Sequence, residues 1–374
     1  MKIKSAILQE MGVRTPYQES RPLSIQEVEL DGPGRGEVLV EIKAAGICHS
    51  DLSVINGSRP RPLPIALGHE AAGVVVETGE GISDLQKGDH VVCIFVPICG
   101  HCIPCQEGRP ALCEEGAKVN TEGTLLSGEK KIHDGEQYIY HHAGVSAFSN
   151  YVVTARASLV KVDPTIPFEK AALFGCAVLT GVGAVVNAAQ VKLGSSVAVV
   201  GLGGVGLSAL LGAFAAGAKD VIAVDINADK LRFAKELGAT HVFNPTEGNV
   251  VDQIKHITIG GVEYAFETAG AVPAMNVAYK ITRRGGTTIT TGLPHPEHHF
   301  SFPQVTLAAE ERIVKGSYLG SCVPARDIPK FIELYKQGRL PVDRLLSDVI
   351  PLENINEGFD RLATGKVNRI VVIP

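Results

Sequence analysis

Apolar residues run along this chain in two rhythms, and the change between them falls near residue 194. Up to about Val178 they come in short Val/Ile runs, among them Glu37 to Ala44, Ala71 to Glu77 and Asp89 to Phe95. Turn signals such as Gly57-Ser58-Arg59-Pro60 separate the runs. Such a texture predicts strands joined by tight turns, and hence a twisted, mostly antiparallel β domain. From Gly194 onward strand-like runs alternate with amphipathic stretches. Strands are predicted at Ser196 to Val200, Asp220 to Val224, His241 to Phe243, Val262 to Glu267, Gly286 to Thr291 and Ile313 to Gly316. Helices are predicted between them at Leu207 to Ala216, Ala228 to Leu237, Asn249 to Ile257, Ala274 to Thr282 and Pro303 to Ala309. Strands that alternate with helices build a parallel, doubly wound sheet, so the fold class is α/β with a β-rich companion domain. Two more helices, Asp327 to Lys336 and Asn354 to Ala363, precede a closing strand, Arg369 to Ile373. No internal repeat or low-complexity tract is present.

Composition narrows the function. The 374 residues are 45% hydrophobic and 20% charged, enough for about two domains with cores of their own. A net charge of −5 points away from nucleic acid and anionic membranes as partners. Trp is absent and Tyr and Phe are few, so base-stacking platforms are not expected. The mixed Lys/Ile start, Met1 to Glu10, does not read as a signal peptide. The long apolar stretch Val197 to Ala216 is broken by glycines near its start and reads as strand, turn and helix rather than a membrane span. A cytoplasmic protein is expected.

The break in that stretch carries the first motif. Val197 to Val200 lead into Gly201-Leu202-Gly203-Gly204-Val205-Gly206, and a helical pattern follows. In G-x-G-x-x-G the first glycine makes the tight turn, the second admits a pyrophosphate and the third lets helix pack on strand. The helix start then offers backbone N–H groups to phosphate. Asp225 follows Gly206 by nineteen residues, at the end of a predicted strand. A carboxylate there accepts both ribose hydroxyls of NAD and repels the extra phosphate of NADP. The alternative is a structural turn without ligand.

Cysteines carry the second. Cys99, Cys102, Cys105 and Cys113 fall within fifteen residues, a spacing that suits a closed, structural tetrahedral zinc site better than free thiols. Cys48, His69 and Cys176 are dispersed, each beside glycine, and spacing alone does not join them. Cys93 and Cys322 are read as packing residues.

Taken together, Gly68-His69-Glu70, the Cys48-His49-Ser50-Asp51 segment, the four-cysteine lobe and Gly175-Cys176 before Thr180-Gly181 resemble the zinc-containing medium-chain alcohol dehydrogenases. The resemblance spans essentially the whole chain, in the family's order. The long segment between Cys113 and Tyr151 is similar to the longer, dimeric branch, which implies a homodimer, with a tetramer as the other arrangement. It also implies a Rossmann domain (178–318) inserted into a GroES-like catalytic domain (1–177 and 319–374), with the active site in the cleft between them.

The resemblance assigns roles residue by residue. Cys48, His69 and Cys176 match the Cys₂His ligand set of a catalytic zinc in alcohol dehydrogenases, with an open fourth position. Two zinc ions per chain follow, one catalytic and one structural. Asp51 matches the acid that orients the imidazole ligand, and Glu70 the carboxylate behind the metal. Ser50 matches the hydroxyl that takes the alcohol proton. The family's terminal base three residues further on is Ser53 here, so the end of the relay departs from the pattern. His49, Lys230, Thr180 and Arg369 match cofactor contacts, alongside Gly201, Gly203, Gly204, Val205, Gly206 and Asp225. Phe95, His142 with Ala143, and Arg59 match the substrate pocket and its mouth.

These matches imply oxidation of primary aliphatic or aromatic alcohols to aldehydes by NAD, and the reverse, with a small molecule as the only partner besides a second copy. The alternative within the family is S-(hydroxymethyl)glutathione dehydrogenase. That branch carries an arginine four residues after the last lobe cysteine, where this chain has Ala117 with Lys118 beside it. From another class, a zinc-stabilised nucleotide-binding protein without catalysis is disfavoured by the intact Cys48, His69, Cys176 and Ser50.

Overall fold

A computed structural model describes residues 1–365 and 367–374. The chain forms two compact units. The first takes Met1–Cys176, Val323–Ile332 and Leu346–Pro374; the second takes Ala177–Cys322 and Glu333–Leu345.

The first unit is built from two β layers. Strands Lys2–Leu8, Leu23–Leu30, Ile132–Asp134, Gln137–His141 and Ile65–Ala66 close a small barrel. The second layer is a sheet in the order Leu159–Lys161, His90–Cys93, Glu70–Thr78, Glu37–Gly46, Arg369–Ile373 and Leu346–Pro351, with Tyr151–Ala155 also paired to Glu37–Gly46. Pairing is antiparallel except where Ile65–Ala66 meets Gln137–His141 and where the last two strands of the chain meet. Alternate side chains of one strand point to opposite faces, and Lys2–Leu8 uses both. It sends Ile3 and Ile7 into one core and Ala6 and Leu8 into the other.

The second unit holds a six-stranded parallel sheet in the order His241–Phe243, Asp220–Val224, Ser196–Val200, Val262–Glu267, Thr282–Thr290 and Ile313–Gly316. The central strand Ser196–Val200 is buried throughout, which is why it reads as an unbroken apolar run. Helices Val250–Ile257 and Val272–Ile281 cover one face, packing Val250, Ile254, Ala278 and Ile281 on Ala198, Val200, Ile222, Val224 and Ala265.

Element boundaries move where side-chain pattern is a poor guide. The helix expected from Leu207 starts at Gly204, because three of its first residues are Gly or Val and carry no polar face. The strand expected at Gly286 starts at Thr282, across an irregular stretch in which Arg283, Arg284 and Gly285 are exposed. Among the described residues no single helix is long and apolar enough to cross a membrane.

Candidate active site

Strand register assembles this site. Gly46 pairs with Glu70 on one side and with Val371 on the other. Cys48, two residues past Gly46, and His69, one before Glu70, therefore leave the sheet at the same end. His69 follows Gly68, whose φ is +95° and whose Cβ would stand 2.4 Å from the Phe148 backbone nitrogen. Only glycine fits there. The third side chain arrives by contact with the next strand. His90–Cys93 pairs with Glu70–Thr78, and a Cβ at Gly175 would lie 2.4 Å from the Cys93 carbonyl oxygen. Cys176 thus follows a glycine pressed against that strand's end.

The sulfurs of Cys48 and Cys176 and a ring nitrogen of His69 lie within 4.8 Å of one another, all buried. His69 Nδ1 donates to Asp51 Oδ1 at 3.0 Å. Its Nε2 is then a buried acceptor with no hydrogen-bond partner among the described residues. A lone pair facing two sulfurs is incomplete within the protein and complete around a tetrahedral, borderline-soft cation, so these residues fit zinc. The charges agree. A hydrogen bond from Cys176, then burial in opposition, then His69 set the Cys48 thiol, which is held well below its ordinary range. Burial pulls His69 down, but the charge and hydrogen bond of Asp51, and then those of Cys48, outweigh it and raise the imidazole, so zinc, when bound, would take the place of a proton there.

Asp51 is fully buried. Its Oδ1 also accepts the Gly68 N–H at 3.2 Å, and His142 Nδ1 stands 3.1 Å away, off the line of a well-formed hydrogen bond. Burial would raise this carboxyl, but the His69 charge and then His142 hold it well below the usual carboxylate range. His142 and Phe95, both expected at the pocket wall, meet the His69 ring edge-on at 5.4 and 5.5 Å between centroids. No sequence signal tied His142 to Asp51, since ninety residues separate them. Behind the ligands Glu70 forms a buried ion pair with Arg369. A Cβ at Gly46 would stand 2.3 Å from Glu70 Oε1, so glycine makes space for the pair. Burial raises the Glu70 carboxyl against the pull of Arg369.

Ser50 and His49 open the helix His49–Ile55, His49 exposed and Ser50 half-buried. Ser53 Oγ donates to the His49 carbonyl at 2.9 Å, so its hydroxyl is turned onto the helix backbone. Arg59 follows this helix and donates its N–H to the Ser53 carbonyl at 2.8 Å.

The four lobe sulfurs also lie within 4.8 Å of one another. Backbone N–H groups of Cys99 and Gly116 donate to Cys113 Sγ at 3.2 and 3.3 Å, and that of Cys102 to Cys99 Sγ at 3.3 Å. Donors aimed at sulfur favour thiolate, the form a metal needs, so this set fits a structural zinc. Cys93 is buried, and burial pushes its thiol up to about 12, which makes it inert. Cys322 is buried in the second unit, its sulfur 3.2 Å from Asn187 Nδ2.

In the second unit Gly201 has φ +95°, and a Cβ there would stand 2.7 Å from Ala269. A Cβ at Gly206 would lie 1.9 Å from the Gly201 carbonyl oxygen, whereas at Gly203 it would meet nothing within 4 Å. Gly203 therefore faces open space that a ligand can fill. Asn227 and Asn249 cap the helices Ala228–Glu236 and Val250–Ile257 with side-chain oxygens, but Gly204–Ala215 begins after Gly203 with no side-chain cap. Its uncapped N–H groups, Gly204 and Val205 included, suit a pyrophosphate. Asp225 Oδ2 accepts the Leu202 N–H at 2.6 Å and Oδ1 the Asn227 N–H at 2.8 Å, which fixes the acid beside the turn. Lys230 lies in the first turn of the following helix, and Thr180 is buried in Ala177–Gly183.

The chain is similar to known proteins along its whole length. Residues 34–164 match the alcohol dehydrogenase GroES-like domain, and residues 204–337 match the zinc-binding dehydrogenase domain. S-(hydroxymethyl)glutathione dehydrogenase of Paracoccus denitrificans is 38% identical, and alcohol dehydrogenase class-3 of Cereibacter sphaeroides is 37% identical, each over 100% of both chains. Among solved structures, an alcohol dehydrogenase zinc-binding domain protein from Burkholderia ambifaria (35% identical, TM-score 0.94) and benzyl alcohol dehydrogenase from Acinetobacter calcoaceticus (33%, TM-score 0.93) each cover 100% of this chain and 99% of their own.

Elemental analysis should find two zinc ions per chain. Cys113→Ala should release one of them and lower the melting temperature, while the remaining zinc and the substrate preference persist; a folded variant that keeps both ions would overturn the lobe assignment. Asp225→Ser should raise NADP use relative to NAD roughly tenfold, about 1.4 kcal/mol of discrimination. An unchanged ratio of kcat/KM for the two cofactors would remove Asp225 from that role.

Proposed function

The chain belongs to the zinc-containing medium-chain alcohol dehydrogenases, and from that premise we propose that its alcohol is S-(hydroxymethyl)glutathione, the adduct of formaldehyde with glutathione. It is a zinc-dependent, NAD-linked oxidoreductase of alcohols and aldehydes. The observation that carries the finer reading is the full-length likeness to two relatives named for that activity or class, at 37–38% identity. This reverses the order of preference drawn from the sequence, which placed free alcohols first. A positive side chain is needed for the adduct's carboxylates. Lys118, exposed on the helix Glu114–Glu122, and Arg59 are the cations the sequence offers for that role.

A second reading rests on Ala117. It is exposed at the place where the adduct-oxidising branch has arginine, and the benzyl alcohol dehydrogenase of Acinetobacter calcoaceticus covers the whole chain. Uncharged primary alcohols, aromatic ones included, are the substrates on this reading.

In either case the chain's residues divide the work in one way. Zinc, when bound, supplies Lewis acidity that lowers the pKa of an alcohol, and NAD accepts the hydride. Cys48, His69 and Cys176 hold the catalytic ion, and Asp51 keeps the His69 ring in the tautomer that presents Nε2. Phe95 and His142 wall the site against water. Ser50 takes the alcohol proton and, with Ser53 committed to the helix backbone, passes it to solvent beside the exposed His49. Gly201, Gly203, Gly204, Val205, Gly206, Asp225, Lys230 and Thr180 serve the cofactor, whereas Arg369, expected beside a phosphate, is buried against Glu70.

We assign a homodimer to the protein in solution. The strand Ile313–Gly316 ends the parallel sheet and is exposed along its length, with Val305 and Ile313 also exposed at 68% and 53%. An exposed, partly apolar edge strand is a template for pairing with a second copy.

NADH formation from NAD, measured with formaldehyde plus glutathione, formaldehyde alone and benzyl alcohol, decides the substrate. Turnover that depends on glutathione supports the adduct. Equal turnover of benzyl alcohol without glutathione sinks it in favour of the second reading. Sedimentation equilibrium should give a dimer that Val314→Pro dissociates; a wild-type monomer contradicts the edge pairing.

A further inference from the structure

Glu267 is a buried acid that none of the chemistry above uses. It closes the strand Val262–Glu267, is 2% exposed, and in the parallel register lies beside Val200, the last residue before the glycine turn. A carboxylate so buried needs its oxygens satisfied by donors. Oε1 accepts the Gly270 N–H at 2.6 Å and the Ala271 N–H at 3.5 Å, and Oε2 accepts the Thr290 hydroxyl at 2.7 Å. The backbone carbonyl of Glu267 accepts the Thr291 N–H at 2.9 Å. One residue therefore ties together the loops that leave two neighbouring strands. A Cβ at Gly292 would stand 2.6 Å from Oε2 and 2.3 Å from the Gly270 nitrogen, so glycine permits the approach.

The tied segment is the one that touches the cofactor turn. Thr268 donates its N–H to the Val200 carbonyl at 2.9 Å and its hydroxyl to the Gly201 carbonyl at 2.5 Å. Ala269 fills the place where a Cβ on Gly201 would go, and a Cβ on Gly206 would stand 2.6 Å from Thr268 Oγ1. Thr268 and Ala269 are thus the back wall of the turn, and Gly270 and Ala271 anchor that wall to the carboxylate.

We propose that Glu267 is a positioning residue for the cofactor: through Gly270, Ala271 and Thr290 it holds Thr268–Ala269 against Gly201 and so fixes the N–H groups that receive the pyrophosphate. The carboxylate is suited to this because three donors converge on it and it has only acceptors to offer. The inference rests on NAD as cofactor and not on the identity of the alcohol.

NADH binding to the zinc-loaded protein, followed by nicotinamide fluorescence, tests it alongside zinc content and melting temperature. Glu267→Ala should weaken NADH about 10- to 100-fold, as loss of a support does at a preorganised site, with both zinc ions retained. Glu267→Gln should stay within about threefold of wild type, because the amide oxygen still accepts from Gly270 and the Thr290 hydroxyl can turn to accept from its NH₂. If Glu267→Ala does not fold, Thr290→Val removes one support alone and should still weaken NADH about threefold or more at an unchanged melting temperature. Wild-type affinity in a less stable Glu267→Ala, or unchanged affinity in Thr290→Val, would show a purely structural role and overturn the proposal. A wild-type protein that binds no NADH would instead remove the cofactor assignment itself.

Discussion

The first unit turns on a buried imidazole nitrogen that has no well-formed hydrogen bond among the described residues and stands beside two cysteine sulfurs. The atom is His69 Nε2, and leaving a buried polar atom unsatisfied costs about 1–3 kcal/mol. Zinc ligation returns far more, of the order of 10 kcal/mol for well-formed sites. The surroundings make that the only useful outcome. Gly68 forces the backbone path that presents His69, Gly175 lets Cys176 approach the end of the neighbouring strand, and Asp51 occupies the other ring nitrogen. Replacing any of these would leave the ligand types in place and lose their common point.

Two buried carboxylates flank that point, and their partners give them different work. Asp51 is enclosed by imidazoles and a backbone N–H, so its charge acts on the ring it orients. Glu70 is paired with Arg369, and both groups are cut off from solvent. Breaking a buried pair by removing one partner costs about 3–5 kcal/mol, because the remaining charge has no water to turn to. Arg369 is therefore bound to the metal side of the unit through Glu70. Sheet register produces the pairing, since Gly46 lies between the strands that carry the two side chains. In the second unit the same economy appears at Glu267, where one carboxylate satisfies donors from two loops and steadies the segment behind the glycine turn.

Much of the fold was legible from periodicity. The parallel-sheet strands Ser196–Val200, Asp220–Val224, His241–Phe243, Val262–Glu267 and Ile313–Gly316 occur with the predicted bounds: the inner three are largely buried apolar runs, and the two edge strands are set off by the turns and helices around them. The barrel strand Lys2–Leu8 was not legible, since it feeds two cores at once and interleaves Lys2 and Lys4 with buried residues. Thr282–Thr290 was cut short for a local reason: its exposed Arg-Arg-Gly segment looks like a turn until the neighbouring strand pairs across it.

The local motifs were determined by sequence alone, because each acts through neighbours a few residues away. The glycine turn with Asp225 and the four-cysteine lobe need only short backbone paths to bring their groups together. The Cys48–His69–Cys176 site has no such path, and its residues suggested a joint site only through resemblance to a family. Tertiary structure decided that they converge, that His142 stands against Asp51, that Arg369 pairs with Glu70 and that Glu267 braces the cofactor turn. Each of these contacts spans segments remote in sequence, or depends on strand register and burial, and neither register nor burial is encoded within any short window of the chain.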